Sequence, residues 1–376
     1  MTQNLKLTST VKNDGYLEVS LTKGPLPEPG DDEVVIRVEA TPINPSDLGS
    51  LIAGADLDQA VAEMREGMPV LRAPIPANVM ATLSARIEQP LPVGNEGAGV
   101  VVSAGSAPAA QALVGKTVAV LAGAMYSQYR CVSASSCLVL PDGVSARAGA
   151  SCFVNPLTAL GMVETMRLEG HHALVHTAAA SNLGQMLVKL CQTDNVPLVN
   201  IVRSKIQVEL LKELGAVYVC NSSDADFREQ LVSAIEQTGA TLAFDAIAGG
   251  RLASDILAAM ETVAGRNPAP GDRYGSTTHK QVYLYGVLDT SVTTLNRAYG
   301  MAWGVGGWLM PNFLARVGEA KSAQMRERVA QEITTTFAST YTSEISLEGM
   351  LNVETARSYQ RKSTGEKYLI NPTLNA

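Results

Sequence analysis

Residues 173–215 constrain the fold of this chain more than any other stretch. They run apolar strand, small-residue turn, amphipathic helix, turn and second apolar strand. Residues 173–177 form a short apolar run that ends in Ala178, Ala179, Ala180, Ser181 and Asn182. Small side chains at such a turn let an anion approach the backbone, and the helix that follows presents orphan N–H groups and its positive dipole end. Only Gly184 survives from a G-x-G-x-x-G pattern. Leu187, Leu190 and Cys191 continue the apolar helix face, Asn195-Val196-Pro197 makes a turn, and residues 198–202 form a strand of Leu, Val and Ile around Asn200. This pattern predicts a dinucleotide-binding βαβ unit; an ordinary strand-loop-helix packed by small residues is the alternative it leaves open.

The end of the second strand bears on which dinucleotide is expected. A site for an unphosphorylated ribose places Asp or Glu there to accept from its hydroxyls, whereas this chain has Arg203, Ser204 and Lys205. Two cations and a hydroxyl suit a 2′-phosphate, so NADPH is the expected cofactor. The competing reading is that Arg203 and Lys205 only solvate a helix start.

With 376 residues, 46% hydrophobic and 17% charged, the chain can bury cores for two domains. Its net charge of −7 and lack of long Lys/Arg runs argue against broad contact with nucleic acid. Five cysteines, at 131, 137, 152, 191 and 220, show no C-x-x-C spacing, which predicts neither a disulfide framework nor a zinc knuckle and suits a reducing cytoplasm. No apolar run has the length of a membrane span or the form of a signal peptide, so a soluble protein is expected.

Up to about residue 145 the signals are mostly β, at 16–21, 33–40, 97–103, 117–121, 126–132 and 137–140, separated by Gly/Pro turns. From about residue 148, helices alternate with strands near 173, 198, 217, 241 and 282. The expected fold is α/β, a doubly wound parallel sheet beside an irregular, mostly β, barrel-like domain. The barrel-like domain is assigned to 1–147 and 311–376, and the dinucleotide-binding domain to 148–310. Two segments exceed ordinary connections. Residues 56–89 carry helical signals such as 57–66, and 265–280 is a polar Gly/Pro loop; each reads as a lid, a surface insertion or an oligomer contact.

Several ordered motifs then resemble the medium-chain dehydrogenase/reductase superfamily, on its zinc-independent quinone oxidoreductase and enoyl reductase side. They are Ile43-Asn44-Pro45-Ser46-Asp47, Gly94-Asn95-Glu96-Gly97-Ala98-Gly99-Val100, Asn155-Pro156-Leu157-Thr158-Ala159, the 178–184 loop, Phe244-Asp245-Ala246-Ile247-Ala248-Gly249-Gly250 and Leu284-Tyr285-Gly286. The resemblance implies a Rossmann domain with a GroES-like catalytic domain. It also implies no catalytic zinc, because Asn44 and Asn95 stand where zinc-dependent members have Cys and His. Of the four histidines, His176 reads as a packed strand residue and His171, His172 and His279 as surface or loop residues.

Without a metal, the expected chemistry is hydride transfer to an already activated acceptor, a quinone or an α,β-unsaturated carbonyl. Asn44, Asp47 and Tyr126 are the expected pocket residues, Asn44 as a donor and Tyr126 as a stacking or donating phenol; a turn-stabilising segment and a strand-edge aromatic are the plainer readings. By the resemblance, Asn44, Asn155 and Thr158 lie near the nicotinamide and its ribose, and Ala180, Ser181, Asn182 and Leu183 at the pyrophosphate. Gly286, Val287 and Leu288 follow a late strand, Ile247 and Ala248 edge the same cleft, and Lys367 faces the cofactor or solvent. The loop's length resembles the 2-enoyl thioester reductases. Those proteins carry a tyrosine acid soon after the Asn-Pro-Ser-Asp motif, whereas no Tyr, Phe or Trp occurs here between Leu17 and Met125. Water or Tyr126 is left to protonate an enolate. A catalytically silent NADPH-binding protein is the non-enzymatic alternative. A homodimer is also expected, with residues 302–308 as a candidate apolar contact.

Overall fold

The change of pattern near residue 150 separates two kinds of sheet. The computed structural model describes residues 3–266, 273–361 and 367–374. It divides into two units, Met1–Val154 with Arg326–Ala376, and Asn155–Met325. The seams lie downstream of 147/148 and 310/311 because a helix runs over each. Val154–Leu168 starts at the first seam, and the helical stretch Met310–Glu332, kinked at Gly318, carries the second within it.

The first unit is built on mostly antiparallel sheets; Tyr16–Pro25 alternates buried with more open positions, while Glu33–Pro42 is buried along most of its length. One sheet has the order Val61–Arg65, Met68–Pro74, Tyr16–Pro25, Gln3–Val11, Leu91–Pro92. The other runs Leu138–Val139, Thr117–Leu121, Glu96–Ala104, Glu33–Pro42, Tyr368–Ile370, Ser343–Ile345, with Tyr129–Ser133 also paired to Glu33–Pro42. The returning chain supplies two of these strands, which explains why its short β signals follow a long helical run.

The helical reading of 57–66 is corrected. Only Leu57–Gln59 is a short 3-10 turn; Val61–Arg65 is a strand that pairs antiparallel with Met68–Pro74. Glu66 and Gly67 both have positive φ, 51° and 77°, the signature of a two-residue hairpin turn, and that turn decides between two apolar periodicities. Residues 61–74 therefore extend a sheet, and short helical turns, Ala77–Met80 and Ser84–Arg86, follow them. Arg65 bonds Glu18 through both terminal nitrogens at 3.0 Å, and Arg72 lies over the Tyr16 ring.

The second unit carries six parallel strands: Leu174–His176, Leu198–Val202, Tyr218–Asn221, Leu242–Asp245, Lys280–Leu284 and Trp303–Gly307. In the sheet they lie in the order third, second, first, fourth, fifth, sixth. This is the doubly wound order that opens a crevice at the strands' carboxyl ends, where the order reverses. All five residues of Leu198–Val202 are buried, as expected of a strand covered on both faces. Val175, Val199, Ala243 and Val282 pack against Leu231, Ile235, Ile256 and Met260 of the flanking helices. Each fully buried large side chain contributes about 1.5–3 kcal/mol of transfer free energy. Of the polar loop 265–280, residues 267–272 lie outside the described residues. Its far end is pinned by buried Lys280, whose ammonium donates to Glu261 at 2.6 Å, Ser276 at 2.9 Å and the Thr278 carbonyl at 2.8 Å.

Candidate active site

In the parallel-sheet unit the candidate residues gather at the strands' carboxyl ends. After Leu174–His176 the chain turns through Ala178, at φ 51°, into the helix Asn182–Thr193. Ser181 caps that helix by accepting from Gly184 N at 3.2 Å. A Cβ on Gly184 would stand 2.1 Å from the Ala179 carbonyl oxygen, so only glycine lets this helix close onto its strand. That is the packing role of the last glycine in a dinucleotide loop. Ala180, Ser181, Asn182 and Leu183 thus form the loop and first helical turn.

A second left-handed alanine, Ala248 at φ 68°, follows Leu242–Asp245. Such a conformation costs an L-residue about 1–2 kcal/mol, and here Asp245 holds the turn. Its carboxylate accepts from Thr177 Oγ1 at 2.7 Å, Ile247 N at 2.9 Å and Ala248 N at 3.2 Å. The loop after Lys280–Leu284 is tied to it: Leu288 N donates to the Ala246 carbonyl and Asp289 N to that of Ile247, both at 3.0 Å. Ala248, Gly286 and Val287 line a cleft of about 420 Å³, completed by Tyr285, Trp308 and Asn312 among others. Leu288 and Ile247 support its rim without lining it.

Tyr285 stands in the Leu284-Tyr285-Gly286 motif without an expected role, and Trp308 and Asn312 lie outside the motifs. Tyr285 bonds His176 Nε2 at 2.7 Å behind the cleft, and burial lowers the His176 pKa to about 3, so the imidazole is neutral. Trp308 donates Nε1–H to Thr165 at 3.1 Å and meets Phe244 edge-on at 5.5 Å between centroids. Asn155 and Thr158, three residues apart and buried, share a face at the start of Val154–Leu168. His171 is not a surface residue: it is buried, with Nδ1 2.7 Å from Thr241 Oγ1.

At the end of Leu198–Val202, Arg203 and Lys205 are exposed, and among the described residues neither is paired with a carboxylate. Ser204 caps the helix Lys205–Glu213, accepting from Gln207 N at 3.4 Å. Ser223 Oγ donates to the Arg203 carbonyl at 2.9 Å and fixes the backbone at this corner. Two cations and a helix N-terminus thus meet at one strand end.

The antiparallel unit holds a buried polar cluster. Asp47, third in the helix Pro45–Leu51, accepts from Asn44 N and Asn95 N, both at 2.8 Å, and so ties the Asn-Pro-Ser-Asp and Gly-Asn-Glu motifs together. Asn44 Nδ2 donates to Glu96 Oε1 at 2.7 Å; the other Glu96 oxygen accepts from Phe153 N at 2.8 Å and Val154 N at 3.0 Å. Burial drives the Asp47 pKa up to about 7 against the backbone donors, and it raises that of Glu96 against the charge of Lys367. Lys367 is itself buried and lowered to about 8, opposed by Glu96 and then Asp47. Its ammonium donates to Ser151 Oγ at 2.8 Å. It is neither a solvated lysine nor a lone charge.

Tyr126 is corrected from a pocket residue to a core residue. It is fully buried among the apolar residues of this unit and donates its hydroxyl to the Pro42 carbonyl at 3.1 Å. Burial raises its pKa well above that of a free phenol, ahead of the negative charge of Asp47. Glu96, Ser151 and Tyr341 join the cluster without having been singled out, because positions 96, 151, 341 and 367 converge only in the folded unit. Among the described residues no three His, Cys, Asp or Glu side chains are grouped to hold a metal ion, and no helix is long and apolar enough to cross a membrane.

Comparison with known proteins accords with this geometry. The alcohol dehydrogenase GroES-like domain matches residues 30–142. The trans-enoyl reductase tazE of Aspergillus terreus is 24% identical over 301 residues, 74% of this chain and 88% of that protein. The synaptic vesicle membrane protein VAT-1 homolog of Rattus norvegicus is 25% identical over 239 residues, 62% of this chain; the match spans 52% of that relative's length. Among solved structures, a candidate NADPH:quinone reductase from Mesorhizobium loti superposes with a TM-score of 0.72 at 25% identity, covering 99% of this chain and all of that one. The Etr1p/NADP/crotonyl-CoA complex superposes with a TM-score of 0.67 at 17% identity over 99% of this chain and all of that one.

Proposed function

The chain belongs to the medium-chain dehydrogenase/reductase superfamily, on its quinone-reductase and enoyl-reductase side, and from that premise we propose that it is an NADPH-dependent, metal-independent reductase of quinones or α,β-unsaturated carbonyls. The observation that carries the cofactor half is the strand end with Arg203 and Lys205 unpaired by any described carboxylate. The 2′-phosphate binds there, the pyrophosphate at the loop 180–183, and the nicotinamide in the cleft of Ala248, Gly286 and Val287. When bound, NADPH supplies a hydride. Asn155 and Thr158 orient the nicotinamide ribose.

The acceptor half follows from the donor set. Asn44 presents an amide, with its Nδ2 held by Glu96 and its backbone by Asp47, where a zinc-dependent relative would need a thiolate. A fixed amide can stabilise an oxygen that gains negative charge, and this suits acceptors already activated by conjugation. Asp47, with both oxygens on backbone N–H groups, acts as a positioning residue.

Purified protein should oxidise NADPH with members of a panel of small quinones and conjugated enones, at a rate unchanged by chelator. No turnover with any acceptor would overturn the reading, and tight NADPH binding without turnover would instead mark a nucleotide-binding protein. A second reading, 2-enoyl thioester reduction, draws on the similarity to the trans-enoyl reductase tazE. A higher kcat/KM for an enoyl thioester than for any quinone would select it. A cytoplasmic location and a homodimer belong to the same proposal. The five unpaired cysteines suit the first, and the sheet-edge strand Trp303–Gly307 suits the second.

A further inference from the structure

A chain of net charge −7 that offers two cations to a phosphate has to keep its own carboxylates off them. The strand beside Leu198–Val202 ends at Asn221, which stands opposite Val202. The turn that follows, Ser222-Ser223-Asp224-Ala225-Asp226, carries two carboxylates. It is stitched to the Arg203 corner of the same unit: Ser222 N donates to the Val202 carbonyl at 2.7 Å and Ser223 Oγ to the Arg203 carbonyl at 2.9 Å. Asp224 comes next, its Cα about 3.8 Å from that of Ser223, so the span of an arginine side chain covers it. Arg203 is nonetheless unpaired by any described carboxylate.

The reason lies in two amides. Asn221 Nδ2 donates to Asp224 Oδ1 at 2.7 Å, and Gln230 Nε2 donates to Asp224 Oδ2 at 3.3 Å, so both oxygens are turned into the turn. Gln230 Nε2 also donates to Asp226 Oδ1 at 2.8 Å, and one amide thus ties both carboxylates with its two hydrogens. What the amide oxygens accept fixes their orientation. Asn221 Oδ1 takes Ser223 N at 3.2 Å, and Gln230 Oε1 takes Asn221 N at 3.2 Å. A flip of either amide would turn a carbonyl oxygen toward a carboxylate and lose these bonds. Asn221 is buried, and Gln230 is half-buried in the first turn of the helix Phe227–Thr238.

We propose that Gln230 and Asn221 set the cofactor preference without touching the cofactor, by holding Asp224 away from Arg203. The inference rests on the reading of Arg203 and Lys205 as the 2′-phosphate site. A released Asp224 carboxylate would oppose the phosphate twice, by pairing with the guanidinium and by repelling the anion. It would also bring to this strand end the kind of group that accepts from ribose hydroxyls in an NAD site. NADPH therefore loses by the release, and NADH does not. Gln230 and Asn221 are positioning residues, and Arg203 is the group through which they act.

The test titrates NADPH and NADH against the full chain by calorimetry and needs no turnover. Gln230→Leu removes both hydrogens that hold the carboxylates, and the NADPH dissociation constant should rise about 10-fold, the scale of one charge-assisted contact. NADH should change by less than about twofold or bind more tightly, having no phosphate to repel. Asp224→Asn in the Gln230→Leu chain should restore most of the NADPH affinity, a rescue that damage to the turn alone would not give. If Gln230→Leu fails to fold, Gln230→Glu carries the same test: it keeps the oxygen that accepts from Asn221 N, repels Asp224, and should lose NADPH selectively, with relief by Asp224→Asn. An unchanged ratio of NADPH to NADH affinity, or equal losses of both without rescue, would overturn the inference. A wild type that binds NADPH no more tightly than NADH would overturn the reading of Arg203 and Lys205 instead, and this inference with it.

Discussion

Arg203→Ala offers the sharpest test of cofactor choice, because the structure gives this side chain no competing task. It is exposed, and its backbone is fixed by other groups: Gln207 Oε1 accepts from its N–H at 3.0 Å, and Ser223 donates to its carbonyl. Truncation should therefore leave the fold intact and remove only what the guanidinium gives a ligand. A charge-assisted bond contributes about 1.5–3 kcal/mol, and exposure to solvent and salt reduces this to about 1–2 kcal/mol. At about 1.4 kcal/mol per decade, the dissociation constant for NADPH should rise roughly 5- to 30-fold. Adding Lys205→Ala should bring the loss to about 100-fold, the two cations sharing one phosphate. NADH has no 2′-phosphate and should change less than about twofold. Titration by fluorescence or calorimetry at two ionic strengths measures both ligands, and the wild type's NADPH affinity should fall more steeply with salt than the variant's. Equal losses for NADPH and NADH would refute the assignment.

Three other outcomes follow from buried contacts. Gly184→Ala should destabilise the protein by about 2–3 kcal/mol and weaken dinucleotide binding, since the added Cβ meets the Ala179 carbonyl at 2.1 Å; an unchanged Tm would contradict the packing argument. Lys280→Met, which strips an ammonium from buried contact with Glu261, should cost about 3–5 kcal/mol in denaturant unfolding, and Glu261→Leu in the same chain should recover part of it. In the cluster of Asp47, Glu96 and Lys367 the sign depends on pH. Asp47 is raised to about 7, so its contribution is full below its unfolded pKa near 3.8 and is lost as pH rises through 7. Lys367 is lowered to about 8, so its contribution is full above 10.5 and is lost as pH falls through 8. Lys367→Met removes the cation that offsets two buried carboxylates, so its Tm deficit should grow from pH 5.5 to 7.5; a constant deficit would mean that lysine acts only by packing.

The second unit was legible because each of its signals is local. A buried parallel strand is a run of apolar residues, and the helix after it shows its own period, so 173–215 declared strand, helix and strand without the rest of the chain. Cofactor candidates inherited that clarity, since loop 180–183 and Arg203-Ser204-Lys205 sit at element boundaries that the pattern itself marks. The hairpin at 61–74 was misread for the opposite reason. Its strand Val61–Arg65 has exposed residues on both faces, so no alternation survives, and the deciding signal is the positive φ of Glu66 and Gly67.

The polar cluster of the first unit could not be read the same way. Asp47 and Glu96 lie in motifs, but a motif gives no burial, and burial turns an ordinary turn-forming aspartate into a carboxyl with a pKa of about 7. Tyr126 misled because sequence alone does not say which way a side chain packs; the missing Cβ of neighbouring Gly94 leaves room for the ring, and the phenol turns inward. Tyr341 and Ser151 stand 190 residues apart and meet only because the returning chain adds strands to the first sheet. The return thus does more than complete a barrel. It carries Lys367 to the two carboxyls that need a cation and Tyr341 to the serine that accepts from that cation, so the charge compensation of this core depends on strands that the chain adds last.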